Sequence, residues 1–381
     1  MLNVGIIGIG NTGNQVAVLA NEKLRIPVIA VNSSERDLET VPSTITKYKI
    51  GKPESQGAGK NRYRAKTLLK DSIVEFISSD AVKEMIVDLD VVFIVSSTGG
   101  GTGSGTAPLM ADIIGKTFAD VKTILVGVLP VNNEALSAHS NTLEYLEELY
   151  GKLPNQTYML YDNDKLADIP SYKMMEQVNL EIVKDIDVLR CQYNLTTRFD
   201  SIDERDMLRL ISFPGRIMVC RIEDLKEKDC DTKSIEDMLI ENIKRNCHVE
   251  TQRDKKVAAS GIITNLSLGI SEEFNNHIPK VREFVGDPIH DFNHIYINED
   301  RKLPNNVFLI LSGLSRIDDK IAKINERVQE IEEKQKLMEE ENMLNDIDIT
   351  SLSNKVNSDE TKAEDTTDSV DIKNIFSSFG V

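Results

Sequence analysis

The chain has 381 residues, 40% hydrophobic and 28% charged, with no Trp and a formal net charge of −17. Its length exceeds what one hydrophobic core usually organises, so two packed domains are expected besides a biased C-terminal end. Residues 317–381 hold 17 Asp or Glu against 8 Lys or Arg, and no segment supplies the basic stripe that direct binding to DNA phosphates needs.

The opening MLNVGIIGIG is an apolar strand without a charged-then-apolar leader, and no apolar run approaches the roughly 18 residues of a membrane span, so a cytoplasmic protein is expected. Strands at residues 4–9, 27–31, 90–96, 123–130 and 157–161 are expected to alternate with helices at 14–22, 66–85, 107–118 and 137–149. Continuous apolar strands separated by helices imply a parallel sheet covered on both faces. A long helix over 172–193 follows, then a polar loop with Asp200, Asp203 and Asp206. Cys191, Cys220, Cys230 and Cys247 make no CxxC pair, which favours buried, reduced thiols over a zinc site or a disulfide framework. Beyond Pro214, strand-like runs at 216–221, 258–266, 294–297 and 306–311 predict a smaller α+β domain with a mixed sheet.

Ile317, Ile321, Ile324, Val328, Ile331 and Met338, with Gln335 in the remaining slot, make a heptad seam. Such a narrow stripe suits packing along the body or reaching a neighbouring subunit, and the pattern leaves both open. Residues 346–371 are acidic and nearly free of aromatics, which predicts disorder. In the final DIKNIFSSFGV, Ile372, Ile375, Phe376 and Phe379 read more simply as a short partner-binding segment than as core.

Two glycine loops carry the chemistry. Gly8-Ile9-Gly10-Asn11-Thr12-Gly13 follows the first strand and opens a helix, matching GxGxxG. Glycines there let backbone approach a pyrophosphate, and the helix N-terminus offers free N–H groups and a positive dipole end. The same turn also occurs without any ligand. A nicotinamide dehydrogenase would place an acid at the end of the second strand, where this chain has Asn32-Ser33-Ser34. The second loop, Gly99-Gly100-Gly101-Thr102-Gly103-Ser104-Gly105, follows another apolar strand and precedes another helix. So many glycines cost conformational entropy, which a ring of N–H groups around an anion, with Thr102 and Ser104 hydroxyls as further donors, would offset. No Walker lysine follows, so phosphate charge would be met by backbone dipoles and Mg²⁺.

GGGTGSG resembles the signature of the tubulin and FtsZ superfamily, and further stretches resemble that family's other loops in the same order. The first loop corresponds to Gly8, Gly10, Asn11, Thr12, Gly13 and Asn14, and the second to residues 30–33 with Asn32. The γ-phosphate loop resembles Gly57, Ala58, Gly59, Lys60 and Asn61. A proline loop resembles residues 128–133, followed by Glu134, and the guanine-facing loop starts at Asn163. Asn179 matches the asparagine that reads the guanine edge. Departures are an absent arginine after Glu134, Met175 in place of the ring that stacks on the base, and Ser201 where the acidic loop usually carries asparagine.

The resemblance implies an α/β architecture with five parts: a parallel-sheet GTPase domain at residues 1–170, a central helix and acidic loop at 171–206, a smaller α+β activation domain at 207–315, an extended heptad helix at 316–345 and an acidic disordered tail at 346–381. It also implies GTP/GDP and Mg²⁺ as ligands, with Asp203 and Asp206 of the next subunit completing the site and orienting the attacking water. Self-association into a head-to-tail filament would then activate hydrolysis. The departures and the heptad helix resemble the plasmid- and phage-encoded segregation tubulins of the TubZ type, which implies a DNA-binding adaptor at the C-terminal region, no direct nucleic-acid contact and no membrane span. A divergent division-type FtsZ is the alternative, on the final DIKNIF segment, and a dinucleotide oxidoreductase is a third.

Overall fold

The computed structural model describes residues 1–190, 201–251, 256–275, 277–298, 303–340 and 372–381. VGIIGI at β1 (Val4–Ile9) is buried at every position, as expected of a central strand covered on both faces. β2 (Val28–Asn32) is buried throughout and the short β3 (Thr46–Lys49) is not, which fits an edge strand. β4 (Val91–Ser97), β5 (Lys122–Leu129) and β6 (Thr157–Asp162) continue the sheet on the other side of β1. β7 (Gly215–Leu225), β8 (Ala259–Ser267), β9 (His290–Asn298) and β10 (Asn305–Leu314) complete it.

The strand order among the described residues is β3-β2-β1-β4-β5-β6-β7-β10-β8-β9. β1 to β6 are parallel, as the alternation of apolar strands and helices implies. The mixed sheet expected beyond Pro214 is continuous with the parallel one: β7 joins β6 in parallel through the pairs Thr157–Gly215 and Tyr158–Arg216. β10 then runs antiparallel to β7 and β8, so the mixed character begins beyond the joint. On one face a single apolar cluster runs across both halves, from Ile6 and Phe93 through Ile182 and Ile186 of the central helix (Ser171–Leu189) to Ile263 and Ile310. The other face carries two clusters, one under the N-terminal helices and one around Leu239, Val281 and Leu309.

Several expected elements differ in detail. The helix predicted over 66–85 is three shorter ones, Arg62–Lys70, Ile73–Ser78 and Asp80–Val87. Ser72 turns its hydroxyl back onto the carbonyls of Leu68 and Leu69, and Ser79 caps the third helix through the N–H of Val82, so both serines break the run. The heptad helix (Asp318–Glu340) lays its stripe on its own body: Ile317 and Ile324 are buried and Ile321, Val328 and Ile331 half-buried. Ile375, Phe376 and Phe379, expected to serve a partner, are buried in the same cluster as Leu109 and Tyr145. Cys220 and Cys247 are buried free thiols and Cys230 is half-buried. Burial raises the Cys220 thiol above its ordinary range and pushes Cys247 up to about 12. Cys191, Asp200, the end of the long helix and residues 346–371 lie outside the described residues, and no helix among the described ones is long and apolar enough to cross a membrane.

Candidate functional site

β1 and β4 are parallel neighbours, with Gly8 opposite Val95 and Ile9 opposite Ser96. The chain winds outward from β1 to β3 and then crosses back to β4, so the two glycine loops leave the carboxyl ends of adjacent strands at the point where the strand order reverses. That crevice is where open α/β sheets bind ligands. Gly8 lies in β1, and Gly10, Asn11, Thr12, Gly13 and Asn14 form the first turn of the helix Gly10–Leu24. Gly99, Gly100 and Gly101 form the turn after β4, and Thr102, Gly103, Ser104 and Gly105 open the helix Thr102–Thr117. The first N–H groups of each helix have no partner within it. Ser104 returns its hydroxyl to the Gly100 carbonyl, a local bond rather than the free donor the sequence suggests.

The third loop closes over the second. Gly57, Ala58, Gly59 and Lys60 lead to Asn61, whose side chain caps the helix Arg62–Lys70 by accepting from the N–H of Arg64. A Cβ on Gly101 would stand 2.7 Å from the Cα of Lys60. Gly13 is equally constrained: its Cβ would fall 2.1 Å from the Val95 carbonyl oxygen. Both positions require glycine because two backbones already occupy the space.

Two side chains tie these loops together: Ser33, in the second loop that the sequence points to, and Asn141, which sequence reasoning left out of the site. Ser33 is fully buried; its hydroxyl accepts from the Ala58 N–H at 3.1 Å and shares a hydrogen with the Thr102 hydroxyl at 2.7 Å. Asn141, on the helix Leu136–Lys152, donates its amide to the carbonyls of Lys60, Gly99 and Gly100 at 3.0, 3.1 and 3.0 Å. Ser33 had a detectable cue, a polar residue at the end of an apolar strand. Asn141 belongs to no motif, and only the tertiary packing brings it to the loops. Asn32, which was expected at the site, holds its own turn, donating to Asp37 and accepting from the Ser34 N–H.

Beside the first loop a cleft of about 640 Å³ opens between the helix Gly10–Leu24 and the central helix. Asn11, Asn14, Tyr172, Met175 and Asn179 line it. Its volume suits a small-molecule ligand. Asn179 donates to Gln15, which donates to Asn11. Asn14 is 3% exposed, and neither its amide nitrogen nor its oxygen has a partner. A buried amide left unpaired costs free energy that a bound ligand would recover. The residues therefore fit a nucleotide: backbone N–H groups for phosphates and an apolar-walled cleft with carboxamides for a base. A larger cleft of about 810 Å³ lies behind residue 162, between Lys165, Lys244 and Phe284, away from the glycine loops.

Asn163 opens a short 3-10 turn (Asn163–Leu166) with its side-chain oxygen unpaired. That turn is held by Lys320 of the heptad helix, which bridges Asp162 at 2.9 Å and Asp164 at 2.7 Å. Burial alone would lower the Lys320 pKa, yet the two carboxylates hold it above the ordinary lysine range. Glu134 accepts from the Val131 N–H at 3.1 Å and so braces its own loop.

Asp203 and Asp206 sit elsewhere. They form a reciprocal cap on the helix Glu204–Leu210: the Asp206 N–H donates to Asp203 at 2.8 Å and the Asp203 N–H to Asp206 at 3.4 Å. Glu204 pairs with the amino group of Met1, which precedes β1. The acids thus lie at the amino end of β1 and the glycine loops at its carboxyl end, separated by the six-residue strand, roughly 20 Å. The chain does not bring them to its own glycine loops. Among the described residues no three His, Cys, Asp or Glu side chains gather as a metal-ligand set.

Residues 3–171 match the model of the Tubulin/FtsZ family, GTPase domain. The chain is 28% identical to Cell division protein FtsZ 1 of Thermococcus kodakarensis over 243 residues, 61% of this chain and 60% of that protein. It is 27% identical to Tubulin-like protein CetZ of Methanothrix thermoacetophila over 183 residues, 44% of this chain and 49% of the relative. The match thus spans about half to three-fifths of these curated relatives' length. A GTPγS-form protofilament structure of TubZ from Bacillus thuringiensis serovar israelensis superposes with a TM-score of 0.73 at 17% identity, covering 89% of this chain and 94% of that one. At that identity the likeness is one of fold.

Proposed function

Residues 3–171 are a tubulin/FtsZ GTPase domain, and from that premise we propose that the chain polymerises head to tail with GTP and hydrolyses it between subunits. The observation that carries this reading is the separation of phosphate loops and acidic cap to opposite ends of β1. Stacking one copy on the next along the strand direction would set Asp203 and Asp206 of one over the glycine loops of the other.

The Gly99–Gly105 and Gly10–Asn14 backbones would cradle the phosphates, and Gly57–Asn61 would close over the γ-phosphate. Asn11, Asn14 and Asn179 would take the sugar and base, with Met175 against the base face. Water attacks the γ-phosphorus, the bond to the bridging oxygen breaks, and GDP and phosphate leave. The protein's share is positioning and charge: helix N-termini and N–H groups meet the phosphates, and the incoming carboxylates orient the water. Asp203 and Asp206 would help hold Mg²⁺, whose charge would offset that of the phosphates.

Sedimentation and phosphate release with GTP, GDP and GTPγS test the proposal on Asp203→Asn and Asp206→Asn, which keep a capping acceptor. GTP should pellet all three proteins, while the variants release phosphate at least ~100-fold more slowly. Release at the wild-type rate in both variants would remove the acids from the mechanism. NAD binding without GTP binding would instead support an oxidoreductase.

Within this reading, segregation of plasmid or phage DNA through a DNA-binding adaptor is favoured by the acidic net charge and the TubZ-like fold. The case for a division-type role weakens because Ile375 and Phe376 of DIKNIF are packed on the chain's own body.

A further inference from the structure

The helix Ile372–Ser378 and the residues after it lie on the face formed by the helices Arg62–Lys70, Thr102–Thr117 and Leu136–Lys152. Ile372, Ile375, Phe376 and Phe379 recur at the spacing of one helical face, and Asn374, Ser377 and Ser378 point to solvent. Ile375, Phe376 and Phe379 are 5%, 2% and 2% exposed. Lys66 donates to the Phe379 carbonyl at 3.0 Å, and the Lys152 ammonium stands 4.7 Å from the centre of the Phe379 ring. This is an amphipathic helix in a groove. A seven-residue helix is not stable alone in water, so its order depends on being seated.

The groove is wired to the phosphate loops. Lys66 and Arg62 share the buried Glu148 carboxylate, each at 2.5 Å. Arg62 also donates to the Asn141 carbonyl at 3.0 Å, and the Asn141 amide holds Lys60, Gly99 and Gly100. An unbroken run of hydrogen bonds and ion pairs therefore leads from the Phe379 carbonyl through Lys66, Glu148, Arg62 and Asn141 to two loops of the nucleotide site.

We propose that this groove is a docking site whose ligand is the chain's own Ile372–Val381 segment, seated reversibly, and that docking and nucleotide binding strengthen each other through the Lys66–Glu148–Arg62–Asn141 run. The second half rests on the nucleotide reading above; the docking does not. Seating the segment gives Lys66 a second hydrogen-bond acceptor and fixes the helices Arg62–Lys70 and Thr102–Thr117, which follow Lys60 and Gly101. Coupling of this kind is reciprocal: nucleotide should tighten the seat by the factor by which the seated segment tightens nucleotide.

The chain has no Trp, so Phe379→Trp in the full chain places its one tryptophan in the groove, excited selectively beside the nine tyrosines. Ile372→Trp does the same at a half-buried position without enlarging a buried side chain. Acrylamide quenching should be severalfold weaker than in the free 372–381 peptide carrying the same substitution, weaker again with GTPγS, and independent of protein concentration. Phe376→Asp, which expels the segment, should weaken GTPγS binding at least about fivefold. Peptide-like quenching at both positions would overturn the docking, and protection lost on dilution would assign the groove to a neighbouring copy's tail. Unchanged GTPγS affinity in Phe376→Asp would overturn the coupling. Absence of GTPγS binding in the wild type would sink the GTPase reading, while quenching still judges the docking.

Discussion

At Gly101 the space a side chain would need is filled by the backbone of Lys60, so the glycine loop and the Gly57–Asn61 loop can touch only while that position stays bare. Gly101→Ala should push the loops apart. GTP affinity, read by fluorescent-nucleotide titration, is expected to fall about 10-fold for a displacement worth about 1.4 kcal/mol, with a smaller change in Tm. Asn141→Ala tests the other tie. It removes a donor from three loop carbonyls, leaving Gly100 with the Ser104 hydroxyl, at about 1–3 kcal/mol read as a lowered urea midpoint. Nucleotide affinity should drop with it, and unchanged affinity would mean the loops hold their shape without Asn141. Gly101 was legible in the sequence because five glycines in seven residues have few other uses. Asn141 was not, because one asparagine in an amphipathic helix looks like any other polar residue until the fold turns it inward.

Among elements, the heptad helix illustrates what periodicity decides and what it leaves open. The spacing from Ile317 to Ile331 fixes one apolar stripe, and that stripe faces the body. Lys320, between two stripe positions, is held by Asp162 and Asp164 at the carboxyl end of β6. Lys320→Met should leave the Asp162 carboxylate buried beside an apolar group and destabilise the fold by about 3 kcal/mol, measured by urea unfolding. Because its pKa is raised in the folded state, the Lys320 contribution is fully present below the ordinary lysine value, about 10.4, and is lost as pH rises through the raised one. Truncation after Leu314 should therefore disturb the turn at Asn163, with faster hydrogen exchange at residues 162–166. Unaltered exchange there would mean that the turn holds without Lys320. The same logic applies to the terminal helix, whose pattern declared an apolar face without saying that the chain itself supplies the groove.

For the whole molecule, the continuous sheet makes both halves share one apolar face through the central helix. Under that arrangement Tyr145, Tyr158 and Tyr161 are buried, and desolvation raises the pKa of each above its usual 10. Each binds its proton more tightly folded than unfolded, so its contribution is complete below pH 10 and lost progressively above it. Cys220 and Cys247, also raised by burial, begin the loss from about pH 9, so thermal unfolding from pH 8 to 11.5 should show Tm falling gently above pH 9 and more steeply above pH 10, with about 1.4 kcal/mol lost per pH unit per tyrosine. A flat profile to pH 11.5 would contradict the burial. The sequence alone determined the parallel α/β class, the glycine loops and their order along the chain, because continuous apolar runs alternating with helices, and clustered glycines, are local constraints that leave few alternatives. The tertiary structure decided how the pieces meet: β7 extending the first sheet instead of starting another, the acidic cap at the amino end of β1 opposite the phosphate loops, and the terminal segment in a groove wired to them. Those choices rest on pairing and packing between residues far apart in the chain, and no local pattern encodes which distant surface an apolar face will meet.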